Sequence, residues 1–392
     1  MRVFLIAGEA SGDRLGAGLM AGLKTLGGME FHGIGGPLMQ AEGMQSLFDM
    51  TELSVMGLVE VLPKYRHLKR RIRETARAAL DVAPDVVISI DSPDFCLRVA
   101  RLIKAESDVR TVHYVAPSVW AWRPGRAAKM ARVIDHVLAI LPFEPPLMQA
   151  AGMQCDFVGH PVVSEPQADP QQVAAFRAAH GIGDAPVLLV LPGSRRGEVT
   201  RLAPIFGAAL RRVLARRPEM RLVLPTTQGV AGMVRDLVRD WPQMPVLLDP
   251  NEMKGAAYAS EKASAFACAE VALAASGTVS LELAAARTPM VIAYDTHPIT
   301  RAIMRAMIRI DTVTLVNLVS ETRAVPECLG RDCTPERISA ALHDVMANPR
   351  AQSEAMALTM QRLGQGGEAP GLRAARAVLD HRTEEITRPD GD

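Results

Sequence analysis

Val187-Leu188-Leu189-Val190-Leu191-Pro192-Gly193-Ser194-Arg195 is an apolar run that ends in a glycine turn and a guanidinium, and Glu270-Val271-Ala272-Leu273-Ala274-Ala275-Ser276-Gly277-Thr278 repeats the plan further along the chain. An unbroken apolar run of this length suits a strand buried on both faces, and the glycine turn hands it to a helix. Two such turns can aim backbone N–H groups and a positive helix end at one phosphorylated ligand. The pattern predicts a nucleotide diphosphate site in the second half of the chain.

Working outward, short runs rich in Val, Ile and Leu alternate with longer segments of helical period. They are Val3–Ala7, Val86–Ile90, Thr111–Val115, His136–Ile140, Val187–Leu191, Arg221–Leu224, Val271–Ala275 and Met290–Tyr294. This alternation predicts an α/β fold with parallel sheets covered on both faces. Between Gly159 and Gln172 the chain turns polar and proline-rich, which marks a linker. Several strand–helix repeats lie on each side, so two doubly wound, Rossmann-like domains are expected, with ligands at the carboxyl ends of their strands and in the cleft between them.

Composition sets the outer limits. With 392 residues, 48% hydrophobic, the chain can fill two cores, and a net charge of +1 names no partner. Five cysteines, Cys96, Cys155, Cys268, Cys328 and Cys333, stand without a C-x-x-C pair, which points to reduced thiols of a cytosolic protein rather than a disulfide framework or a zinc site. Gly8 and Glu9 stop the first apolar run too soon for a secretory signal, and no run approaches the roughly 20 continuous apolar residues of a membrane span.

Several loops carry polar groups where strands end. Gly8-Glu9-Ala10-Ser11-Gly12-Asp13 brings Glu9, Ser11 and Asp13 to the sheet edge, where they suit a hydroxyl-rich ligand or simply cap a helix. Ile90-Asp91-Ser92-Pro93-Asp94-Phe95 delivers two carboxylates; either can serve as a general base, or Asp91 can bond loop amides while Asp94 caps the next helix. Pro117-Ser118-Val119-Trp120-Ala121-Trp122-Arg123 reads as a pocket wall or, more conservatively, as core anchors. Arg195 can neutralise charge on a departing diphosphate beside the Gly193 and Ser194 amides, or lie solvated in a surface turn. Ser276, Gly277 and Thr278 open a helix whose first turn carries Glu282, suited to ribose hydroxyls or to the helix dipole. Gly16-Ala17-Gly18 matches a dinucleotide fingerprint on paper but lies inside a helical segment rather than opening one, and it is set aside. No P-loop occurs.

Two basic segments suit an anionic surface. Lys64–Arg73 follows the apolar stretch Leu53–Leu62, and Arg301, Arg305 and Arg309 recur every fourth residue among Ile303, Met304, Met307, Ile308 and Ile310. A solvated cationic face is the ordinary alternative. Few aromatic residues and no recognised module speak against nucleic acid.

Taken together, these blocks resemble the lipid-A-disaccharide synthase family, glycosyltransferase family nineteen. The resemblance also takes in Gln40-Ala41-Glu42-Gly43, Val55–Leu62, His113–Trp122, Leu141-Pro142-Phe143-Glu144 and Val158-Gly159-His160. It implies a glycosyltransferase-B fold: residues 1–165 forming an N-terminal domain on the acceptor and membrane side, 171–350 a domain for the UDP-sugar donor, and 351–392 a helical segment packing back on the first, with a polar tail. It implies an inverting transfer from UDP-2,3-diacylglucosamine to 2,3-diacylglucosamine 1-phosphate (lipid X), giving a β(1→6) disaccharide 1-phosphate and UDP. Asp91 takes the place of the family's critical aspartate, and Arg195, Gly193, Ser194 and the Ser276–Thr278 turn that of the UDP cradle. Glu282 and Asn317 match polar positions that contact donor or substrate, and Glu9, Ser11 and Asp13 match the N-terminal loop.

Such a cradle replaces a divalent metal, and no cofactor is expected. Cys96 stands where the family often has asparagine, and Val316 where it usually has proline. The implied setting is cytoplasmic and peripheral on the inner membrane, through the Leu53–Arg73 region, with a homodimer as a family trait. The rivals are a UDP-N-acetylglucosamine 2-epimerase of the same architecture and an inert lipid- or nucleic-acid-binding protein.

Overall fold

The computed structural model describes residues 1–53, 58–121, 125–253, 255–297, 301 and 310–384, with the backbone alone for 58–65 and 381–384. The chain divides into two compact units, Met1–Ser164 with Gly366–Asp392, and Glu165–Gln365.

In the first unit, β1 (Arg2–Ala7), β2 (Glu30–Ile34), β3 (Gln45–Ser46), β4 (Val86–Ile90), β5 (Arg110–Tyr114), β6 (His136–Ala139) and β7 (Gln154–Phe157) form a sheet ordered β3-β2-β1-β4-β5-β6-β7. Its paired strands run parallel; Leu5, for example, sits opposite Gly33 on one side and Ile88 on the other. All five residues of β4 are buried, as a central strand with helices on both faces requires. Strand order reverses between β1 and β4, so the loops leaving these neighbours diverge and open a crevice at the carboxyl edge.

The second unit repeats the plan with β8 (Val187–Leu191), β9 (Arg221–Pro225), β10 (Val246–Leu248), β11 (Val271–Ala274), β12 (Met290–Tyr294) and β13 (Glu327–Leu329), ordered β10-β9-β8-β11-β12-β13 and parallel. Here the reversal falls between β8 and β11. The two glycine turns quoted at the outset are therefore the two loops at this unit's switch point.

The C-terminal region does not travel as one piece. Helix Arg350–Arg362, expected within a 351–392 segment, belongs to the second unit, where Gln352 exchanges hydrogen bonds with the Met290 backbone (2.8 and 2.9 Å) and Arg362 Nη1 donates to Val319 O at 2.6 Å. The chain returns to the first unit at Gly366, and helix Pro370–Glu384 lies against helix Ala10–Leu26. That approach is close because glycines face each other: a Cβ on Gly22 would stand 2.6 Å from Gly371 O, and one on Gly371 would collide with Gly18 O. The glycines of the discarded fingerprint thus serve packing, Gly18 against this helix and Gly16 against Met39. Arg110 Nη1 to Val378 O (2.7 Å) and Arg373 Nη2 to Phe157 O (2.8 Å) fasten the returning helix further.

Gly371→Val is expected to lower stability by about 1–3 kcal/mol through overpacking. Gly28→Ala, where nothing lies within 4 Å of an added Cβ, should be near neutral. Urea unfolding of both variants checks this; equal midpoints would show that the glycine contact is dispensable.

Candidate active site

At the first unit's switch point, β4 ends in a strained corner. Asp91 (φ +52°) and Ser92 (φ +45°) are both left-handed, and Val115 at the end of neighbouring β5 has φ +83°. Non-glycine residues held there cost roughly 1–3 kcal/mol each, so the surrounding structure must hold the corner in place. The corner is held by Asp91 N–H donating to Tyr114 O (3.0 Å) and Val115 N–H donating to Leu138 O (2.9 Å). Gly8, leaving β1, presses on the same corner, since a Cβ there would stand 2.7 Å from Ser92 Oγ.

The result is a recess of ≈180 Å³ lined by Asp91, Val115, Pro117, Ser118 and Arg126, among others. Asp91 lines it, whereas the Asp94 side chain is 94% exposed and lies 3.7 Å from Arg126. The two carboxylates are thereby separated: one faces a recess, the other solvent. Behind Asp91, the Cys96 thiol is buried, and burial together with the Asp91 charge pushes it far up, so it stays neutral. Trp122 and Arg123, grouped with this loop by sequence, lie outside the described residues.

The N-terminal loop is divided in its roles. Ser11 is exposed, and Glu9 precedes helix Ala10–Leu26 as its N-cap residue. Asp13, expected to meet substrate, is 3% exposed and accepts from the amides of Gly36 (2.9 Å), Leu38 (3.0 Å) and Met39 (3.0 Å). Its carboxylate caps the short helix Pro37–Ala41 instead. This corrects the substrate role, because all these donors are backbone and the group is enclosed.

In the second unit, Gly193 (φ +116°) turns the chain after β8 into helix Arg196–Arg216. The Ser194 and Arg195 amides, expected to face a diphosphate, both donate to Glu198 Oε2 at 3.3 Å, while Arg195 Nη1 reaches Glu198 Oε1 at 3.0 Å. An internal carboxylate fills the amide cradle. Arg195 itself remains 65% exposed in its side chain. Ser276 is half-buried, Gly277 and Thr278 are exposed, and the turn they make is held by Ser280 Oγ donating to Gly277 O at 3.0 Å. Glu282 is ion-paired with Lys262, and Tyr258, on the same helix (Gly255–Ala267), has its hydroxyl pushed up to about 12 by burial and then by Glu282 and Asp249.

Asn317 departs from its expected role. It is 1% exposed; its Nδ2 donates to Thr312 Oγ1 (3.2 Å) and Val325 O (2.9 Å), and its Oδ1 accepts from Val325 N–H (3.0 Å). Asn317 knits its own loop and presents nothing to a ligand. Sequence reading overlooked Glu198, although an acidic residue three positions after a helix start is a capping-box signal. Lys262 and Arg126 carried no local signal, since each is defined by a partner distant in sequence.

On helix Leu58–Val82, Arg66, Lys69, Arg70, Arg73 and Arg77 line an open concavity of ≈570 Å³ with Glu74. Arg71 turns inward instead, pairing with Glu52 (2.7 Å) and Glu74 (2.8 Å) and stacking 4.2 Å from the Phe48 ring centre. Residues 54–57 and side chains 58–65 of the expected contact lie outside the described residues, as do Ile303, Met304, Arg305, Met307, Ile308 and Arg309. Arg301 pairs with Asp295 at 3.3 Å. Among the described residues, no helix is long and apolar enough to cross a membrane, and no cluster has the makings of a metal site. All five cysteines are buried and unpaired.

Two doubly wound parallel-sheet units with polar loops at both switch points have the α/β architecture of the glycosyltransferase-B fold. The S. aureus MnaA–UDP complex superposes on 100% of this chain and 99% of its own with a TM-score of 0.66 at 13% identity, a likeness of fold. The sequence profile described as lipid-A-disaccharide synthetase matches residues 3–377. A lipid-A-disaccharide synthase of Ruegeria pomeroyi is 67% identical over 381 residues, covering 97% of this chain and 95% of that protein. Another, of Rhodospirillum centenum, is 49% identical over 391 residues, covering 98% and 95%. The chain belongs to the lipid-A-disaccharide synthase family and is a glycosyltransferase.

The capping role of Asp13 has a measurable consequence. Asp13→Ala strands buried amides and is expected to destabilise the protein by about 2–3 kcal/mol, read from the urea midpoint, with faster hydrogen exchange at residues 36–39. An unchanged midpoint would return Asp13 to the list of ligand contacts.

Proposed function

We propose that the chain transfers a diacylglucosamine unit from UDP-2,3-diacylglucosamine to the 6-hydroxyl of 2,3-diacylglucosamine 1-phosphate, giving the β(1→6) disaccharide 1-phosphate and UDP. Asp91 accepts the hydroxyl proton as the oxygen attacks the anomeric carbon. The bond from that carbon to the diphosphate oxygen breaks with inversion, and the electron pair leaves with UDP. Arg195 neutralises the charge that grows on the departing diphosphate. The observation that carries this reading is Asp91's place on the wall of a recess at a switch point, in a chain of this family.

The Ser276–Thr278 turn supplies further polar contacts to the diphosphate. Glu282, beside Lys262, is suited to ribose hydroxyls, and Glu9 and Ser11 border the acceptor side. No cofactor enters this scheme. Acylated substrates favour work at the cytoplasmic face of the inner membrane, and the Arg66, Lys69, Arg70 and Arg73 surface suits anionic headgroups. A homodimer belongs to the same family expectation.

UDP release from the two acylated substrates tests the chemistry. Asp91→Ala should lower kcat by roughly 10²–10⁴-fold, the span of general-base catalysis, while UDP affinity by calorimetry stays within twofold. Arg195→Ala should lower kcat by roughly 10²–10³-fold, as loss of an electrostatic stabiliser does. Full turnover by Asp91→Ala would remove it as the base, and conversion of UDP-N-acetylglucosamine alone would replace transfer with epimerisation.

Replacing Arg66, Lys69, Arg70 and Arg73 together with serine should weaken binding to anionic vesicles by roughly a hundredfold or more, at about 1 kcal/mol per basic residue. Sedimentation with vesicles measures it, and undiminished binding would remove this face as the membrane contact.

A further inference from the structure

One carboxylate in the first unit has no part in the scheme above and is costly where it lies. Glu144 is 2% exposed, and among the described residues no cation pairs with it. Burying an ionisable group without a counter-charge is unfavourable unless hydrogen bonds hold it. Those bonds come from two loops: the Trp120 indole N–H donates to Oε1 at 3.3 Å, and the Leu141 amide donates to Oε2 at 3.0 Å. The Trp120 ring also meets Phe143 edge to face, with centres 5.3 Å apart.

Trp120 stands two residues beyond Ser118, in the loop that leaves β5 at the strained Val115 and walls the recess beside Asp91. We propose that Glu144 is a positioning residue for the acceptor pocket: it ties the loop after β6 to Trp120 and so fixes the Val115–Ser118 wall against which the acceptor sugar lies. This rests on Asp91 being the acceptor-side base, and it adds a residue whose removal loosens acceptor binding without touching the donor's unit.

Geometry also gives the tie a distinctive chemistry. Burial pushes the Glu144 carboxyl up to about 7, against the hydrogen bonds from Leu141, Trp120 and Ile140 that hold it down. From β7, the Cys155 thiol is pushed up to about 12 by its own burial first and then by Glu144 and Asp156, so it stays neutral while Glu144 titrates. Because the folded state binds this proton more tightly than the unfolded chain, the associated stability is complete below pH 4.5 and is lost as pH rises to about 7. A glutamine there presents one acceptor to two donors and cannot hold both loops.

The test uses the full chain and the variants Glu144→Gln, Glu144→Asp and Trp120→Phe. Tryptophan emission of the unmodified protein should shift with a midpoint near pH 7, and both Glu144→Gln and Trp120→Phe should abolish that shift. With acylated substrates, Glu144→Gln should raise the acceptor KM about tenfold while donor KM and UDP affinity stay within twofold, and Glu144→Asp should recover part of the loss. Trp120→Phe, which leaves the carboxylate in place, should raise the acceptor KM likewise and guards against a Glu144→Gln protein that fails to fold. A rise in donor KM equal to that for acceptor, or an emission shift that persists in Glu144→Gln, would overturn the proposal. Absence of transfer by the unmodified protein would refute the acyl-sugar reading instead, and the emission titration would still judge the Glu144–Trp120 tie.

Discussion

In a parallel sheet covered on both faces, every side chain along a central strand is enclosed, so polar chemistry can begin only where the strand stops. In β4 and β8 the five residues apiece are buried, Ser89 alone among them polar and bonded inward to His113 Nδ1 (2.7 Å), and the first polar residues after them are Asp91 and Ser194. Because strand order reverses next to both, the following loops part from their neighbours and leave room for a ligand. The position of each of these polar groups thus follows from topology, and the side chain supplies only its chemistry.

Holding those loops is a separate task, and this chain does it with buried or half-buried acceptors that gather backbone amides. Asp13 collects three amides at helix Pro37–Ala41, and Glu327 collects the Val313 and Thr314 amides (2.9 and 2.7 Å) and the Thr312 hydroxyl (2.8 Å). Glu198 takes the amides of Ser194 and Arg195, and Asn317 closes on Val325. In each case a side chain satisfies donors that an irregular loop would otherwise leave unpaired. Acidic and amide residues near a switch point therefore divide into those that line a recess and those that shape the wall, and the backbone donors gathered by the second group separate them.

That division explains what was legible beforehand. The central strands could be read from continuous apolar runs, and so could the α/β class and the order of glycine turns. β2, β3, β7, β10 and β13 could not: they lie toward the sheet margins, and most are short, partly exposed or mixed in polarity, as in Gln154–Phe157 and Glu327–Leu329. The wall-shaping roles of Asp13 and Asn317 leave no local signal, because their partners, Gly36 and Met39 in one case and Val325 in the other, are fixed by folding rather than by local spacing, and the ligand role of Asn317 is implied by the family resemblance alone. Asp91, the first residue after β4, and Arg195, four residues after β8 at the end of its glycine turn, are positions that local sequence marks directly. The division of 351–392 had no local signal either, as the Gln352–Met290 and Gly371–Gly18 contacts join segments remote in sequence.

The filling of the second unit's amide cradle by Glu198 bears on how that unit handles anions. In the proposed reaction a ligand diphosphate would compete with the Glu198 carboxylate for the same two N–H groups, so a nucleotide would gain those amides only by displacing a charge already satisfied there. The Arg195 guanidinium is different, because it is largely exposed and can pair with a phosphate while keeping its hold on Glu198 through one nitrogen. Burial raises the pKa of nearby Tyr294, the Glu198 charge raises it further, and the Arg195 charge opposes this, which places all three within one electrostatic neighbourhood at the end of β12. In the proposed reaction, charge neutralisation at this edge would therefore rest on the guanidinium more than on the amides, and the glycine turn would matter chiefly for delivering Arg195 to the mouth of the switch point.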